Sequence, residues 1–185
     1  MGHDKVIIGI DPGTNHMGLG VIGIKGQQVS VLAMDVLNIS DLGNQPLKLK
    51  KIFETVLRNI EAFKPDELAV ESQFFGKNVQ SMLKLGRAQG VAIAAALYRD
   101  IPVFEYSPRK VKQSITGKGN SSKEQVAAML QNILKITQMP VGFDATDAIA
   151  VALCHHFQNG RGESGNKSFT GWKAFVTDNP KRVVK

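Results

Sequence analysis

Four acidic side chains stand where apolar sequence leads up to them. Asp11 ends the run Val6-Ile7-Ile8-Gly9-Ile10, and counting by twos along a strand it shares a face with Ile7 and Gly9. Glu71 closes Leu68-Ala69-Val70. Asp144 and Asp147 are three apart at the head of an otherwise apolar helix, so they project from one face. Each has an ordinary explanation when taken singly. Asp11 suits a turn with Pro12-Gly13, Glu71 suits a pair with Lys77, and Asp144 suits a helix cap. Asp147 is harder to explain so, because it precedes Ala148-Ile149-Ala150-Val151-Ala152-Leu153 with no obvious basic neighbour in sequence. An unpaired buried carboxylate is costly. Together the four point to a compensating charge from outside the chain. Carboxylates without a Cys or His cluster suit Mg²⁺ or Mn²⁺ better than zinc. Two such ions roughly 4 Å apart would activate a water and stabilise the leaving oxygen of a phosphodiester. His155 and His156, late on the same helix, are expected to cap its C-terminus.

Basic residues gather near these acids. The chain has 185 residues with a formal charge of +7 and a pI of about 9.6, which favours a polyanion partner. Arg109, Lys110, Lys112, Lys118 and Lys123 face only Glu105 and Glu124 between Glu105 and Gln125, and Lys77, Lys84 and Arg87 have no acid between Gly76 and Gly90. Lys112 and Lys123 are placed to hold or neutralise a phosphate. Phe74-Phe75, directly after the Glu71 strand, offers either a small loop core or a stacking platform for an unpaired base, the latter worth roughly 1–3 kcal/mol per base.

The elements that must position these residues follow from periodicity. Strands are expected over Lys5–Asp11, Gly18–Ile24 and Gln28–Leu37, the last two joined around Gly26 in a hairpin meander. An amphipathic helix over Gln45–Phe63 stops at Pro65-Asp66 and leads to the strand Glu67–Glu71. A long helix over Asn78–Tyr98 holds Gly86 and Gly90 on one face, each costing about 1 kcal/mol against Ala, which marks a close approach either to the chain's own sheet or to a partner. A strand over Pro102–Tyr106, a short helix over Ser107–Ile115 and a loop at Gly117–Asn120 follow. Ser121 with Glu124 matches a capping box for a helix running to Lys135, and Asp144–Phe157 is the last helix. The order predicts an α/β fold with a mixed sheet.

Residues 1–159 are expected to form one domain. After them come a Gly-rich linker, Gly160–Gly165, and a basic tail containing Trp172, with Lys167, Lys173, Lys181, Arg182 and Lys185 against Asp178. The composition, 43% hydrophobic and 21% charged, is that of a soluble globule. No apolar run is long enough for a membrane span, and Met1–Lys5 lacks a secretory pattern. The lone Cys154 fits a packed thiol in a reducing cytoplasm.

Five blocks of sequence also resemble a known family. They are Val6–Thr14 with Gly18-Leu19-Gly20, Val70–Phe75 with Lys77-Asn78, Gly86–Gly90, Tyr106–Ser114 leading to Gly117, Gly119 and Lys123, and Asp144–His155. In this order and spacing they resemble RuvC, the bacterial Holliday junction resolvase, over about Val6 to Phe157. The resemblance implies an RNase H-like fold with a five-stranded mixed sheet and a homodimer that nicks a four-way junction symmetrically, leaving 5′-phosphates. It also implies work beside a branch-migration motor. It places metal-binding acids at Asp11, Glu71, Asp144 and Asp147, where some members carry His in place of Asp144. It places basic active-site residues at Lys112 and Lys123, and a junction-contacting aromatic at Phe74. Phe75, Lys77, Arg109, Lys110 and Lys118 complete the expected DNA-binding set. Three other functions share part of this pattern. An actin-like ATPase would use Asp11-Pro12-Gly13-Thr14 but needs a second phosphate loop, which is absent from the sequence. A junction-binding module needs no carboxylate cluster. A hydrolase of RNA in hybrid duplexes would use the same acids.

Overall fold

β-Branched and apolar residues set up three antiparallel strands that meet the expected meander. β1 spans Lys5–Asp11, β2 His16–Lys25 and β3 Gln28–Asn38. β1 pairs with β2 from Lys5↔Ile24 to Asp11↔Gly18, and β2 with β3, where the register shifts beside Val21/Ile22. Gly26, with φ of 56°, turns the β2–β3 hairpin. The computed structural model describes residues 2–73, 78–136 and 142–159. Phe74, Phe75, Lys77 and the whole 160–185 segment lie outside the described residues.

α1 (Gln45–Phe63) starts with Asn44 accepting from the Leu47 amide, has Pro46 in its first turn, and ends at Lys64 in the left-handed region. Its Ile52, Val56 and Ile60 are buried. β4 (Glu67–Glu71) then pairs parallel with β1, and β5 (Val103–Tyr106) pairs parallel with β4. Among the described residues the strands make one mixed sheet in the order β3-β2-β1-β4-β5. Between β4 and β5 runs α2 (Val79–Leu97), whose buried face is a stripe of small residues, Ala88, Ala92, Ala95 and Ala96. It packs on α1. α3 (Pro108–Thr116), α4 (Lys123–Leu134) and α5 (Asp144–Asn159) follow.

The sheet separates two cores. Ile8, Ile10, Leu19, Val21, Leu68 and Val70 point to α1 and α2. Ile7, Ile22, Ile24 and Ala69 point to α3, α4 and α5. α5 is buried nearly all round from Ala145 to His155, as expected of a helix apolar on every side. One expectation changes. The α4 box is Ser122 with Gln125, whose side chain reaches back to the Ser122 amide. Ser121 is unavailable because it is buried, bonded to the Thr116 hydroxyl and the Lys118 carbonyl in the preceding loop. Gly86 and Gly90 do not pack on the chain's own sheet: a Cβ at either would meet nothing within 4 Å.

α5 lies very close to the sheet because glycines let it. A Cβ on Gly9 would sit 2.1 Å from the Ala148 carbonyl oxygen, one on Gly18 1.9 Å from that of Asp144, and one on Gly20 2.7 Å from the Ile149 side chain. Backbone cannot yield as a flexible side chain would. Gly9→Ala is therefore expected to destabilise the fold by about 2 kcal/mol or more. Urea unfolding would measure this, and an unchanged midpoint would refute the close approach.

Candidate active site

The carboxylates come from the ends of β1 and β4 and from the first turn of α5. Asp11 ends β1 opposite Gly18. The loop after it turns tightly, since a Cβ on Gly13 would lie 1.7 Å from the His16 carbonyl oxygen. Lys48 of α1 donates to the Thr14 carbonyl and the Asn15 side chain, and the Ile39 amide donates to the Asn15 carbonyl. Nothing in the sequence pairs Lys48 with this loop. Glu71 ends β4, and the Ser72 amide donates to the Tyr106 carbonyl, which ties that end of β4 to β5. In α5 the Asp147 amide donates to the Phe143 carbonyl, as does the Thr146 hydroxyl.

Carboxylate oxygens of Asp11, Asp144 and Asp147 all lie within 4.8 Å of one another. Glu71 ends the neighbouring parallel strand, and its charge acts on Asp11. Burial, then Glu71 and Asp147, push Asp11 up to about 8. Burial and Asp147 raise Glu71. Burial also raises Asp147, although Lys123 opposes it. The magnitudes explain why: two unit charges about 4 Å apart repel by about 4 kcal/mol near a protein surface, against roughly 1 kcal/mol for an ordinary hydrogen bond. Ionising Asp11, Glu71 and Asp147 together is therefore costly without cations among them.

One cation is supplied by the chain. Lys123, the first residue of α4, bonds Asp147 at 2.5 Å. Burial works against its ammonium group, but Asp147, Asp11 and Asp144 outweigh that and hold its pKa above the ordinary value. Asp147 has no basic neighbour in sequence, and the fold brings it one from 24 residues away. Lys112 lies in the same pocket, of about 150 Å³, with Glu71, Pro108, Val111, Lys123 and Asp147. The donor set is all carboxylate, closely spaced and proton-avid, and it fits a hard divalent cation.

The other basic residues divide. Arg109 is exposed, its stem packed on Gly119. Lys118 is exposed in a loop that the Thr116 hydroxyl pins by accepting from the Lys118 amide. Lys110 lines a separate cleft with Gln113, Ser114, Gly117 and Gln158, far along α5 from Asp147. Phe74, Phe75 and Lys77 lie outside the described residues. Cys154 is buried, as expected. His155 is no helix cap: it is 0% exposed and bonded to Glu67 and Tyr106. The helix runs on to Asn159, which leaves His156 in its last turn.

The chain is similar to known proteins along most of its length. The family model for crossover junction endodeoxyribonuclease RuvC matches residues 7–155. The crossover junction endodeoxyribonuclease RuvC of Bacteroides fragilis is 56% identical, covering 97% of this chain and 96% of its own length. That of Cytophaga hutchinsonii is 54% identical, covering 97% of this chain and 88% of its own. Both alignments therefore reach beyond residue 155 into the tail. The structure of Thermus thermophilus RuvC in complex with Holliday junction substrate is similar at a TM-score of 0.80 and 36% identity, covering 85% of this chain and 96% of that one.

The raised Asp11 has a consequence for stability without divalent cations. The folded protein holds the Asp11 proton up to about pH 8, whereas the unfolded chain loses it near the ordinary carboxyl value. The native state binds more protons across that window, so Asp11's contribution to stability falls as pH rises through it. In metal-free buffer, Asp11→Asn should match wild type near about pH 4 and melt several degrees higher near about pH 9, at roughly 2–4 °C per kcal/mol. An equal difference at both pH values would contradict the shift.

Proposed function

The chain belongs to the RuvC family of crossover junction endodeoxyribonucleases, and from that premise we propose that it resolves four-way DNA junctions by metal-dependent nicking at Asp11, Glu71, Asp144 and Asp147. The observation that carries this is the cluster of Asp11, Asp144 and Asp147, which Asp147 shares with a pocket lined by Glu71, Lys112 and Lys123. The fold is RNase H-like, and the activity is that of a hydrolase. Mg²⁺, with Mn²⁺ as a substitute, would supply the charge that lets Asp11, Glu71 and Asp147 ionise together and would polarise the scissile phosphate.

The chain's own residues do the rest. Asp11 and Glu71 hold the cation site from the sheet, and Asp144 and Asp147 hold it from α5. Lys123 neutralises Asp147 while the site is without metal, and its ammonium group is then free to meet the phosphate. Lys112, half-buried beside Glu71, supports negative charge as it develops on the phosphate oxygens. Arg109 and Lys118, at the exposed surface of the same region, contact the backbone of the junction arms, where phosphate contacts give affinity and orientation. Phe74 would stack on an unpaired base at the crossover and Lys77 would contact DNA, while Phe75 suits either stacking or a small loop core. Lys110 serves a DNA arm at a distance from the cut.

The homodimer forms through α2. Val79 (67% exposed), Leu83 (58%) and Leu97 (56%) lie on the outer side of this helix, with the open positions Gly86 and Gly90 between them. Two copies related by a two-fold axis would bury this face and place their sites on symmetric strands. In this reading residues 1–159 form the nuclease domain. The tail beyond them adds basic charge for DNA, and the protein works in the cytoplasm beside a branch-migration motor. Among the described residues no helix is long and apolar enough to cross a membrane.

Two experiments test the reading. Purified protein is incubated with a synthetic four-way junction and with a hybrid RNA–DNA duplex, each with and without Mg²⁺. Paired junction nicks that need Mg²⁺ are expected, and Asp147→Asn should lose at least about 100-fold in rate while retaining junction binding. Preferential cutting of the hybrid would favour the RNA hydrolase instead. In the second, Gly90→Leu fills the open face of α2. Sedimentation should show a folded monomer whose cuts are no longer paired, and an intact dimer would place the interface elsewhere.

A further inference from the structure

α5 has to be held along its own axis, and its seat on the sheet is poorly suited to that. Beneath it Gly9 and Gly18 lie against Ala148, Ala152 and helix backbone, and of the three glycines Gly20 alone receives a large side chain, that of Ile149. Small groups permit close approach but interlock less than large knobs do, so they resist sliding weakly. At the N-terminal end of α5, Asp144 and Asp147 face Asp11 and Glu71, whose repulsion acts to part helix from sheet.

The opposite end carries a built anchor. His155 lies eleven residues beyond Asp144 in α5, about 16 Å along the axis. Its Nε2 is 2.5 Å from Glu67 Oε2 and its Nδ1 is 2.7 Å from the Tyr106 hydroxyl. Lys5 Nζ reaches the same Glu67 oxygen at 2.6 Å, and the Phe104 ring lies over the imidazole at 4.3 Å. Burial pushes the His155 ring below its ordinary pKa despite Glu67. The neutral ring then donates from Nε2 to Glu67 and accepts the Tyr106 hydroxyl proton at Nδ1. The anchoring residues share strands with the acids. Lys5 begins β1, which Asp11 ends, and Glu67 begins β4, which Glu71 ends. Tyr106 is level with Glu71 in the parallel register. These hydrogen bonds are directional and closed on both ring nitrogens, so they hold one axial setting of the helix and no other.

We propose that the Lys5–Glu67–His155–Tyr106 chain fixes the axial register of α5 on the sheet, making His155 a positioning residue that sets Asp144 and Asp147 at metal-binding distance from Asp11 and Glu71. The inference rests on the reading of the acids as a divalent-cation site. A network that served stability alone would lower the melting temperature and leave the cation affinity of the folded protein unchanged. Losing residues that orient metal ligands commonly weakens metal affinity 10–100-fold, on the order expected here.

The test is calorimetric titration with Mn²⁺, each protein being held well below its own melting temperature. His155→Ala should weaken Mn²⁺ binding on the order of 10-fold or more. Tyr106→Phe, which removes one hydroxyl and keeps the ring, should weaken it less. His155→Gln, which keeps a donor for Glu67, should recover part of the loss. Junction binding without metal should be unaffected in all three. Should His155→Ala fail to fold, Tyr106→Phe and Glu67→Gln decide the matter. Wild-type affinity in the folded variants overturns this inference alone. An absence of Mn²⁺ binding by the wild type overturns the cation-site reading, and this inference with it.

Discussion

Mutual repulsion among half-buried carboxylates is the constraint on which the rest of this structure depends. Asp11, Glu71 and Asp147 all hold their protons more tightly than isolated acids, first because they are buried and then because of each other. No single element would keep such groups together. Each acid is therefore carried on regular structure anchored elsewhere: two on adjacent parallel strands, two on a helix sunk into the core. The strands are fixed by their ladder hydrogen bonds and the helix by burial, so the cost of assembling like charges is borne by the whole domain.

The glycines of β1 and β2 belong to the same solution. Acids within 4.8 Å of one another must come from a helix and a strand whose backbones nearly touch. Gly9 and Gly18 remove the side chains that would keep them apart. That closeness leaves little bulky interlocking at Gly9 and Gly18. Lys123 contributes from a third element, so α4 is bonded into the same cluster. The polar atoms are well accounted for: among the described residues no buried side-chain nitrogen or oxygen lacks a hydrogen-bond partner.

Charge is organised by depth. The acids are gathered at the end of the sheet, while Arg109 and Lys118 remain exposed on the segments that frame it. The apolar outer face of α2 follows a different logic. Exposed Val79, Leu83 and Leu97 beside two open glycines are poor design for a helix meant to face water. They suit a surface completed by another polypeptide.

Much of this was legible before any coordinates. The order of elements along the chain, the limits of α1, the start of α5 and the choice of candidate acids all follow from periodicity and from carboxylates in apolar settings. Local rules suffice there, because side-chain alternation and helical spacing are properties of neighbouring residues. The sequence also marked Gly86 and Gly90 as a close approach without deciding between sheet and partner, and only the packing of α2 turned them outward. The Lys123–Asp147 pair, the Lys48 clamp on the Thr14-Asn15 loop and the use of Ser122 rather than Ser121 as the cap were decided by tertiary structure. So was the burial of His155, which helical position alone would place at a solvated terminus. Each depends on what lies opposite a residue across the fold. That is settled by how closely α5 can approach the sheet and by which buried polar atoms remain to be paired, and neither quantity is a function of neighbours in sequence.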